Sequence, residues 1–360
     1  MATVHDYLRY TVEMKGSDLH IKPGGPPFVR INGHLIRTDF PVMGAADCER
    51  SAMELMNDDQ ARDFKDNGEV DFAYSERGLG RFRVNIFRQR GSLGMACRRV
   101  LPGSPSFDSL GLPPVVKSLS DEHRGLILVT GPTSSGKTTT TGAMINYINS
   151  TRPCHILTIE DPIEILHSDR QAIVSQREIG MDTKDFHKAL RAAMRQDPDV
   201  IFVGEIRDTE TVRAALQAAE TGHLVISTLH TTDVKETVNR LIDFFPPHMQ
   251  NQIRVSLAGS LKGIVSQRLL PRKDGRGRIP AIEAMVMNGR IRDLILNPDL
   301  THQIIDIVAE SGFYGMQTFD QALLQLYRAG LVELDEAMSA ATSPHDFELA
   351  LKQEGLQPVS

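Results

Sequence analysis

The feature that most constrains this chain is a short glycine-bounded motif near its middle. Residues 131–138 read Gly-Pro-Thr-Ser-Ser-Gly-Lys-Thr, directly after an apolar run and before a stretch with helical spacing. A strand, such a loop and a helix together form a phosphate-binding loop, because the glycines let backbone N–H groups turn toward phosphate oxygens. We therefore predict an ATP-binding loop with contacts from Gly131, Thr133, Ser134, Ser135, Gly136, Lys137, Thr138 and Thr139.

Two side chains of this motif have predicted chemical roles. Lys137 is expected to reach the β- and γ-phosphate oxygens, and the Thr138 hydroxyl is expected to be a ligand of Mg²⁺. ATP and Mg²⁺ are therefore the expected cofactors. The alternative is a glycine-rich turn that binds nothing, and the strand–loop–helix context counts against it.

The residues after about 116 alternate apolar runs with helical stretches, which is typical of a mainly parallel sheet covered on both faces. The predicted strands are 125–130, 155–160, 200–204 and 224–229. The predicted helices lie near 136–149, 185–195 and 208–221. Residues 288–355 are predicted to be helical, with breaks at Pro298, Gly312, Gly315 and Gly330.

The residues before this region show a different pattern. Alternation over 28–36 predicts a β-hairpin that turns at Asn32-Gly33, and alternation over 80–88 predicts a strand with one apolar and one basic face. Helical spacing extends over 46–65. These short elements predict a separate small domain.

A stretch dense in proline, glycine and serine separates the two patterns. Such a composition is typical of a linker, because proline removes backbone donors and glycine adds backbone freedom. We therefore expect an N-terminal domain at 1–100, a linker at 101–115, and a nucleotide-binding domain at 116–360.

Composition indicates an ordinary soluble protein. The 360 residues carry a net charge of −6, and no apolar run approaches the length of a membrane span. The first residues lack the basic-then-apolar layout of an export signal. Cys48, Cys97 and Cys154 are far apart, so free thiols in the cytoplasm are favoured over disulfides or a zinc module.

Carboxylates follow two of the predicted strands. Glu160, Asp161 and Glu164 follow one strand, and Glu205 ends another. Acids at the carboxyl ends of parallel strands face the nucleotide crevice, where they can hold Mg²⁺ or orient the attacking water. Glu160, Asp161 and Glu205 are therefore predicted at the Mg²⁺ site. The alternative role, capping of the next helix, suits Asp161 and Asp208.

Two histidines bracket the predicted strand 224–229. His223 precedes the strand and His230 follows it, and their odd spacing predicts that the two side chains face different sides. His230 lies at the expected catalytic edge of the sheet. We predict that it senses the γ-phosphate or links the sheet to a neighbouring domain, with a satisfied polar group as the alternative for either histidine.

Arginines crowd the predicted strand 80–88 and the residues after it. They are Arg81, Arg83, Arg88, Arg90, Arg98 and Arg99. We hypothesise that Arg81 and Arg83 contact phosphate oxygens, as arginine fingers do in phosphoryl transfer. The nucleotide would then lie between the two domains, which would swing about the linker as a power stroke. A nucleic-acid site and a solvated basic strand edge are the alternatives.

Three blocks of the chain together resemble the secretion ATPase superfamily. Its Asp box, Walker B region and His box are matched by 159–164, 197–208 and 221–231. Within the superfamily the chain is most similar to the type IV pilus retraction motors. The segments that carry this similarity are 16–21, 25–27, 30–33 and 311–320.

The resemblance implies an α/β fold with a PAS-like α+β N-terminal domain and a RecA-like P-loop ATPase domain whose C-terminal part, about 288–355, is helical. It also implies a homohexamer that hydrolyses ATP to drive pilus retraction. The implied location is cytoplasmic, at the inner-membrane base of the pilus machine, with a platform protein as partner and without nucleic acid or membrane insertion. By the family's pattern Glu164 is the general base, Glu205 supports Mg²⁺, and arginines within 81–99 complete the site.

A departure from the pattern leaves alternatives open. The helical motif Ala-Ile-Arg-Asn-Leu-Ile-Arg-Glu of the retraction motors is only partly matched by 289–297. An accessory pilus motor is therefore the alternative within the same class, and a non-hydrolysing nucleotide switch and a nucleic-acid translocase are the alternatives from other classes. Extension motors and type II secretion ATPases normally carry a four-cysteine zinc module, which three cysteines cannot supply.

Overall fold

The computed structural model describes residues 2–31 and 33–356, and this part of the chain forms two compact units. The first unit comprises the residues up to Pro102 together with Glu164–Leu166. The second comprises Gly103–Ile163 and the residues from His167 onward. The chain therefore passes from one unit to the other at three places.

The regular elements of the described residues are strands, α-helices and two short 3₁₀ helices, at Pro298–Gln303 and Gly312–Tyr314. The strands are β1 (Asp18–Ile21), β2 (Phe28–Ile31), β3 (His34–Arg37), β4 (Glu69–Glu76), β5 (Gly80–Gln89), β6 (Ser92–Pro102), β7 (Gly125–Thr130), β8 (His155–Glu160), β9 (Ile165–Leu166), β10 (Ile173–Glu178), β11 (Val200–Val203), β12 (Leu224–Leu229), β13 (Leu261–Pro271) and β14 (Arg278–Val286). The α-helices are α1 (Val4–Glu13), α2 (Ala45–Leu55), α3 (Asp58–Asn67), α4 (Phe107–Leu110), α5 (Pro114–Ser120), α6 (Lys137–Thr151), α7 (Phe186–Ala193), α8 (Thr209–Glu220), α9 (Val234–Asp243), α10 (Pro247–Ser260), α11 (Gly289–Leu296), α12 (Ile304–Glu310), α13 (Phe319–Arg328), α14 (Leu334–Ala340) and α15 (Pro344–Gln353).

The first unit is built on an antiparallel sheet in the order β3-β2-β1-β6-β5-β4, to which β9 adds in parallel beside β6. The two-faced strand predicted over 80–88 is confirmed by β5, in which Phe82, Val84 and Ile86 are buried and Arg83 is exposed. The predicted hairpin is confirmed by the antiparallel pairing of β2 with β3. Asn32, half of its predicted turn, lies outside the described residues.

The second unit is built on a sheet in the order β10-β8-β11-β12-β7-β13-β14, and all neighbouring strands except β13 and β14 are parallel. Alternate residues of β7 enter two different hydrophobic clusters, Leu126 and Leu128 in one and Ile127 and Val129 in the other. Because alternate strand residues point to opposite faces, both faces of this sheet are covered. The predicted α/β class with a RecA-like P-loop domain is confirmed.

The predicted strands of the second unit agree closely with the structure. Both ends of 125–130, 155–160 and 224–229 match, and the strand predicted at 200–204 ends one residue earlier, at Val203. These strands are almost wholly buried and rich in apolar residues, which is why the sequence locates them. The predicted helices correspond to α6, α7 and α8.

Three features differ from the predicted pattern or extend it. Helical spacing over 46–65 belongs to two helices, because Asn57 caps α3 by accepting a hydrogen bond from the Gln60 N–H. The stretch 101–115 contains the end of β6, the short helix α4 and the start of α5. The sequence also gives no prediction for β10, β13 or β14. Among the described residues, no helix combines the length and the apolar character needed to cross a bilayer.

Candidate nucleotide-binding site

The phosphate loop joins the end of β7 to the start of α6, as its motif predicts. Gly131 and Gly136 have φ values of 145° and 93°, which an L-residue rarely adopts. A Cβ atom on Gly131 would lie 2.5 Å from the Gln267 backbone oxygen, and one on Gly136 would lie 2.6 Å from the Gln267 Nε2. Both glycines are therefore required by backbone conformation and by close packing.

The amino end of α6 suits an anion. The free N–H groups of a first helical turn carry partial positive charge, and the first turn of α6 contains no acidic residue. The Ser135 Oγ is buried and has no hydrogen-bond partner among the described residues. A buried hydroxyl without a partner fits a loop that receives its remaining polar contacts from a ligand.

Lys137 begins α6 and turns back over the loop. Its Nζ donates hydrogen bonds to the carbonyl oxygens of Gly131, at 2.7 Å, and Pro132, at 3.0 Å. The same Nζ lies 3.4 Å from the His230 Nδ1. The amine is thus held at the mouth of the loop, within reach of the histidine that follows β12.

His230 joins the phosphate loop to the acid that follows β11. Its Nε2 lies 3.3 Å from the Glu205 Oε1, and its Nδ1 faces Lys137. The ring satisfies both contacts when Nε2 donates to the carboxylate and Nδ1 accepts from the ammonium. The predicted position of His230 at the catalytic edge therefore corresponds to a bridge between Lys137 and Glu205.

Arg207 completes this polar chain. Its guanidinium donates to the Glu205 Oε2 at 2.8 Å, and a second nitrogen lies 3.9 Å from the Asp161 carboxylate. Burial alone raises the pKa of Glu205, but Arg207 and His230 outweigh burial and hold the pKa of this carboxyl below its ordinary value. Glu205 is therefore ionised at neutral pH.

The other acids that follow strands have diverse surroundings. Glu160 is buried, and its carboxylate accepts hydrogen bonds from the Thr158 hydroxyl at 2.6 Å and the Gln176 amide at 3.1 Å. Asp161 is exposed and faces Arg207. Asp208 accepts a hydrogen bond from the Thr211 N–H and caps α8. Helix capping is thus the structural role of Asp208.

Three of the predicted site residues belong to the first unit. Glu164 is exposed and directly precedes β9. Arg83 donates to both oxygens of the Asp71 carboxylate, at 2.7 and 3.2 Å, and Arg81 donates to the Ser75 hydroxyl at 3.2 Å. Their roles at the nucleotide therefore stay predictions.

His223 has a different environment from His230. Its Nδ1 faces the Ala218 carbonyl oxygen at 3.0 Å and the Thr221 hydroxyl at 3.4 Å, in the turn between α8 and β12. These contacts stay within the turn. They match the alternative of a satisfied polar group.

The sequence does not point to the partners of the phosphate loop on β13. Gln267 is buried there and contacts both Ser135 and Thr140. The available signal is the run Val265-Ser266-Gln267-Arg268 inside an otherwise apolar stretch, since polar side chains buried in a core need partners.

The residues present also fit Mg²⁺. The described residues contain no cluster of three or more histidine, cysteine or acidic side chains that could hold a metal on their own. Mg²⁺ in phosphoryl-transfer sites is typically held by one or two protein oxygens together with substrate phosphates. The Thr138 hydroxyl, next to Lys137, and the ionised Glu205 are oxygens of this kind.

Comparison with known proteins agrees with the fold. The family model described as Type II/IV secretion system protein matches residues 106–312. The type IV pilus retraction ATPase PilT of Pseudomonas aeruginosa is 42% identical over 96% of this chain and 99% of its own length. The type IV pilus ATPase PilU of the same organism is 41% identical over 96% of this chain and 90% of its own length.

A solved structure supports the same assignment. The crystal structure of the pilus retraction motor PilT with bound ADP superposes with a TM-score of 0.89, at 46% identity over 96% of this chain and 99% of that chain. The predicted resemblance to the secretion ATPases and to the pilus retraction motors is thereby confirmed. With a family model that matches more than half of its residues and a relative that matches nearly all of them, this chain belongs to the type II/IV secretion system protein family.

Proposed function

We propose that this chain is an ATP-hydrolysing motor that powers type IV pilus retraction, and so twitching motility. The observation that carries the proposal is the chain of contacts from Lys137 through His230 to Glu205, next to a phosphate loop in the RecA-like unit. A site that only binds nucleotide does not need an ionised acid connected to the loop lysine. The similarity to PilT over nearly the whole chain supports the same function.

Each residue of the site has its own proposed role in ATP hydrolysis. The loop N–H groups and Lys137 bind the phosphates, and Thr138 and Glu205 would hold Mg²⁺, which when bound offsets charge that develops on the phosphate oxygens. Asp161 and the buried Glu160 are the other predicted acids of this site. Glu164 is proposed as the general base that orients and deprotonates the attacking water.

We place Arg81 and Arg83 as phosphate contacts that complete the site within a homohexamer. Arginine side chains stabilise the charge that develops during phosphoryl transfer. Their basic strand lies on the first unit, so the proposed role would make hydrolysis depend on both units. Ring deformation during hydrolysis would then be the step that drives removal of pilin.

The proposed location is the cytoplasmic face of the inner membrane, at the base of the pilus machine, with a membrane platform protein as partner. Nucleic acid and membrane insertion are not part of the proposal. The first unit's basic strand is already paired internally, as the contact of Arg83 with Asp71 illustrates. This pairing favours a structured protein surface over an open nucleic-acid groove.

An accessory pilus motor is the second candidate. Identity to PilU is 41%, next to 42% for PilT, so overall similarity separates the two by little. The segment of the partly matched motif forms α11, capped by Asn288. Helix formation there is therefore compatible with either candidate.

Deletion of the gene with complementation tests the proposal. A retraction motor predicts excess surface pili and lost twitching in the deletion strain, both restored by the wild-type chain but not by Lys137→Ala or Glu164→Gln. An accessory motor would leave twitching largely intact, and a strain without pili would indicate an extension motor.

Phosphate release by the purified chain is the biochemical arm of the test. Glu164→Gln should bind ATP as the wild type does and slow turnover by about 10²–10⁴-fold, the range typical of a general base. Normal turnover in Glu164→Gln would remove this residue from the base role. A wild-type chain that binds ATP and releases no phosphate would support the switch, and turnover that requires DNA would support the translocase.

A further inference from the structure

A buried glutamine on β13 supports the phosphate loop from the side of the sheet. Gln267 is only 2% exposed. Its side-chain Nε2 donates a hydrogen bond to the Ser135 carbonyl oxygen at 2.6 Å, and its Oε1 accepts one from the Thr140 hydroxyl at 2.7 Å. One amide thus connects the loop to the first turn of the helix that follows it.

The two glycines of the loop lie close to the same residue. A Cβ atom on Gly131 or Gly136 would lie 2.5 Å from the Gln267 backbone oxygen or 2.6 Å from its Nε2, respectively. Gln267 therefore helps to exclude side chains from both ends of the loop, together with the Ser135 hydroxyl at Gly131, 2.6 Å from the same Cβ position. Gln267 thus packs against the loop at both Gly131 and Gly136.

The position of Gln267 itself is fixed by the strand pairing. The parallel register of β13 beside β7 sets Ser266 opposite Thr130, the last residue before the loop. The two hydroxyls are 2.8 Å apart, and the Thr237 hydroxyl lies 3.5 Å from that of Thr130. The backbone of β13 next to Gln267 is thus fixed beside Thr130, where the loop begins.

We propose that Gln267 is a positioning residue of the nucleotide site, whose amide holds the Ser135 carbonyl and the first turn of α6 so that the loop N–H groups converge on phosphate. This inference rests on the proposed function in taking the loop as the nucleotide site. The conformation of the loop is demanding, since Ser134, a non-glycine residue, has a φ of 66°. Such a conformation persists only where neighbouring groups enforce it.

A purely structural role is the alternative for a buried amide. A glutamine that only stabilises the sheet would lower the melting temperature when replaced, without a specific loss of nucleotide binding. A positioning role predicts a loss of affinity beyond what the loss of stability explains. Small displacements of groups that bind phosphate can reduce rates strongly, by about 10²-fold for 1 Å.

Gln267→Met tests the proposal, with Gln317→Met as the matched control. Gln317 is a half-buried residue of the second unit whose amide Nε2 also donates to a backbone oxygen, that of Ile282 at 2.8 Å. Methionine keeps the side-chain length and removes the amide in both variants. The measurements are the dissociation constant of a fluorescent ADP analogue, the kcat and KM for ATP, and the melting temperature without nucleotide.

Gln267→Met loses both side-chain hydrogen bonds of the amide, and we expect it to weaken ADP binding by about tenfold and to lower kcat as well. Gln317→Met should bind ADP as the wild type does, even where its melting temperature falls by a similar amount. ADP affinity of Gln267→Met within twofold of the wild type would overturn the proposal, and so would an equal loss in Gln317→Met.

Substitutions at Thr140 provide a second test that does not depend on the folding of Gln267→Met. Thr140→Ser keeps the hydroxyl that donates to the Gln267 Oε1, and Thr140→Val replaces it with a methyl group of similar shape. We expect Thr140→Ser to keep ADP affinity and Thr140→Val to lose several-fold. Equal affinities in the two variants would count against the proposal, whereas a wild-type chain without ADP binding would instead refute the proposed function.

Discussion

At the scale of single residues, the site depends on a histidine that lies between a lysine and a glutamate. His230 approaches Lys137 on one ring nitrogen and Glu205 on the other. Each nitrogen serves a different partner, so the ring fixes the separation of the ammonium and the carboxylate. The Arg207 guanidinium keeps that carboxylate ionised without a direct contact to the loop.

His230→Ala is therefore expected to lower kcat by about 10–100-fold, as loss of a positioned polar partner at a catalytic site does. ADP affinity should change by much less, because the loop N–H groups and Lys137 remain. The matched control is His223→Ala, since the His223 imidazole forms its hydrogen bonds within the turn between α8 and β12. Phosphate-release kinetics check both variants, and equal rates in the two would show that the bridge has no catalytic role.

A second residue-scale prediction concerns Glu283, a buried acid on β14. Its carboxylate accepts hydrogen bonds from the N–H groups of Val234, at 2.9 Å, and Phe319, at 3.4 Å. Burial raises the pKa of Glu283 to about 7, the Asp233 charge adds to the rise, and Arg268 opposes it. In the unfolded chain the pKa of this glutamate is 4.5.

The folded chain therefore binds the Glu283 proton more tightly than the unfolded chain does, and stability falls as pH rises between these two pKa values. The free energy of unfolding should decrease by about 2–3 kcal/mol from pH 4.5 to 7 through this group alone. Glu283→Gln should remove that part of the decrease. Urea unfolding of both chains across this pH range measures it, and identical pH profiles would contradict the prediction.

At the scale of elements, burial decides what the sequence reveals. The strands β7, β8 and β12 lie in the interior of a parallel sheet and are rich in apolar residues, so the sequence locates them. The hairpin of β13 and β14 is exposed at its tip and buried along its middle, where it carries Gln267 and Glu283. Polar residues interrupt the apolar pattern, and their partners lie far away in sequence.

The same distinction applies to the site. The phosphate loop and Glu205 can be located from local patterns, because a glycine motif and the end of a strand are each recognised from a few consecutive residues. The bridge through His230 and the support from Gln267 join residues about 90 and 130 positions apart, a separation no local pattern encodes. The placement of Glu164 in the first unit also follows from strand pairing rather than from the motif around it.

The acid that caps α8 gives an element-scale prediction. Asp208 caps α8 through the Thr211 N–H at 2.8 Å. Asp208→Ala should lower the free energy of unfolding by about 1 kcal/mol, the typical value of a helix cap, and Asp208→Ser should keep most of it. Chemical denaturation measures both. Turnover should stay near that of the wild type in Asp208→Ser, and a large loss there would assign Asp208 a role beyond capping.

At the scale of the whole molecule, the groups proposed for hydrolysis are divided between the two units. The phosphate loop and Glu205 belong to the second unit, and Glu164, Arg81 and Arg83 belong to the first. The proposed chemistry therefore needs groups from both units. In a ring of identical chains these groups can come from one chain or from neighbouring chains, because each interface joins two different surfaces.

Mixed rings distinguish these two arrangements. Lys137→Ala removes the loop lysine, and the double variant Arg81→Ala/Arg83→Ala removes the arginines, so each should be nearly inactive alone. If the arginines act on the neighbouring chain, a ring of equal parts should regain about a quarter of its sites, since one interface in about four pairs an intact loop with intact arginines. Co-expression with two affinity tags, tandem purification and phosphate release measure the recovery.

Asp71→Ala is the control that separates catalysis from folding in this experiment. Asp71 is the partner of Arg83 within the first unit, at 2.7 Å, and both side chains are largely exposed, so loss of the ion pair should cost less than about 1 kcal/mol. Asp71→Ala removes that pair and leaves the arginine in place, so its turnover should equal that of the wild type. Mixed rings without recovery would assign the arginines to the same chain as the loop, and full turnover in the double arginine variant would exclude them from the site.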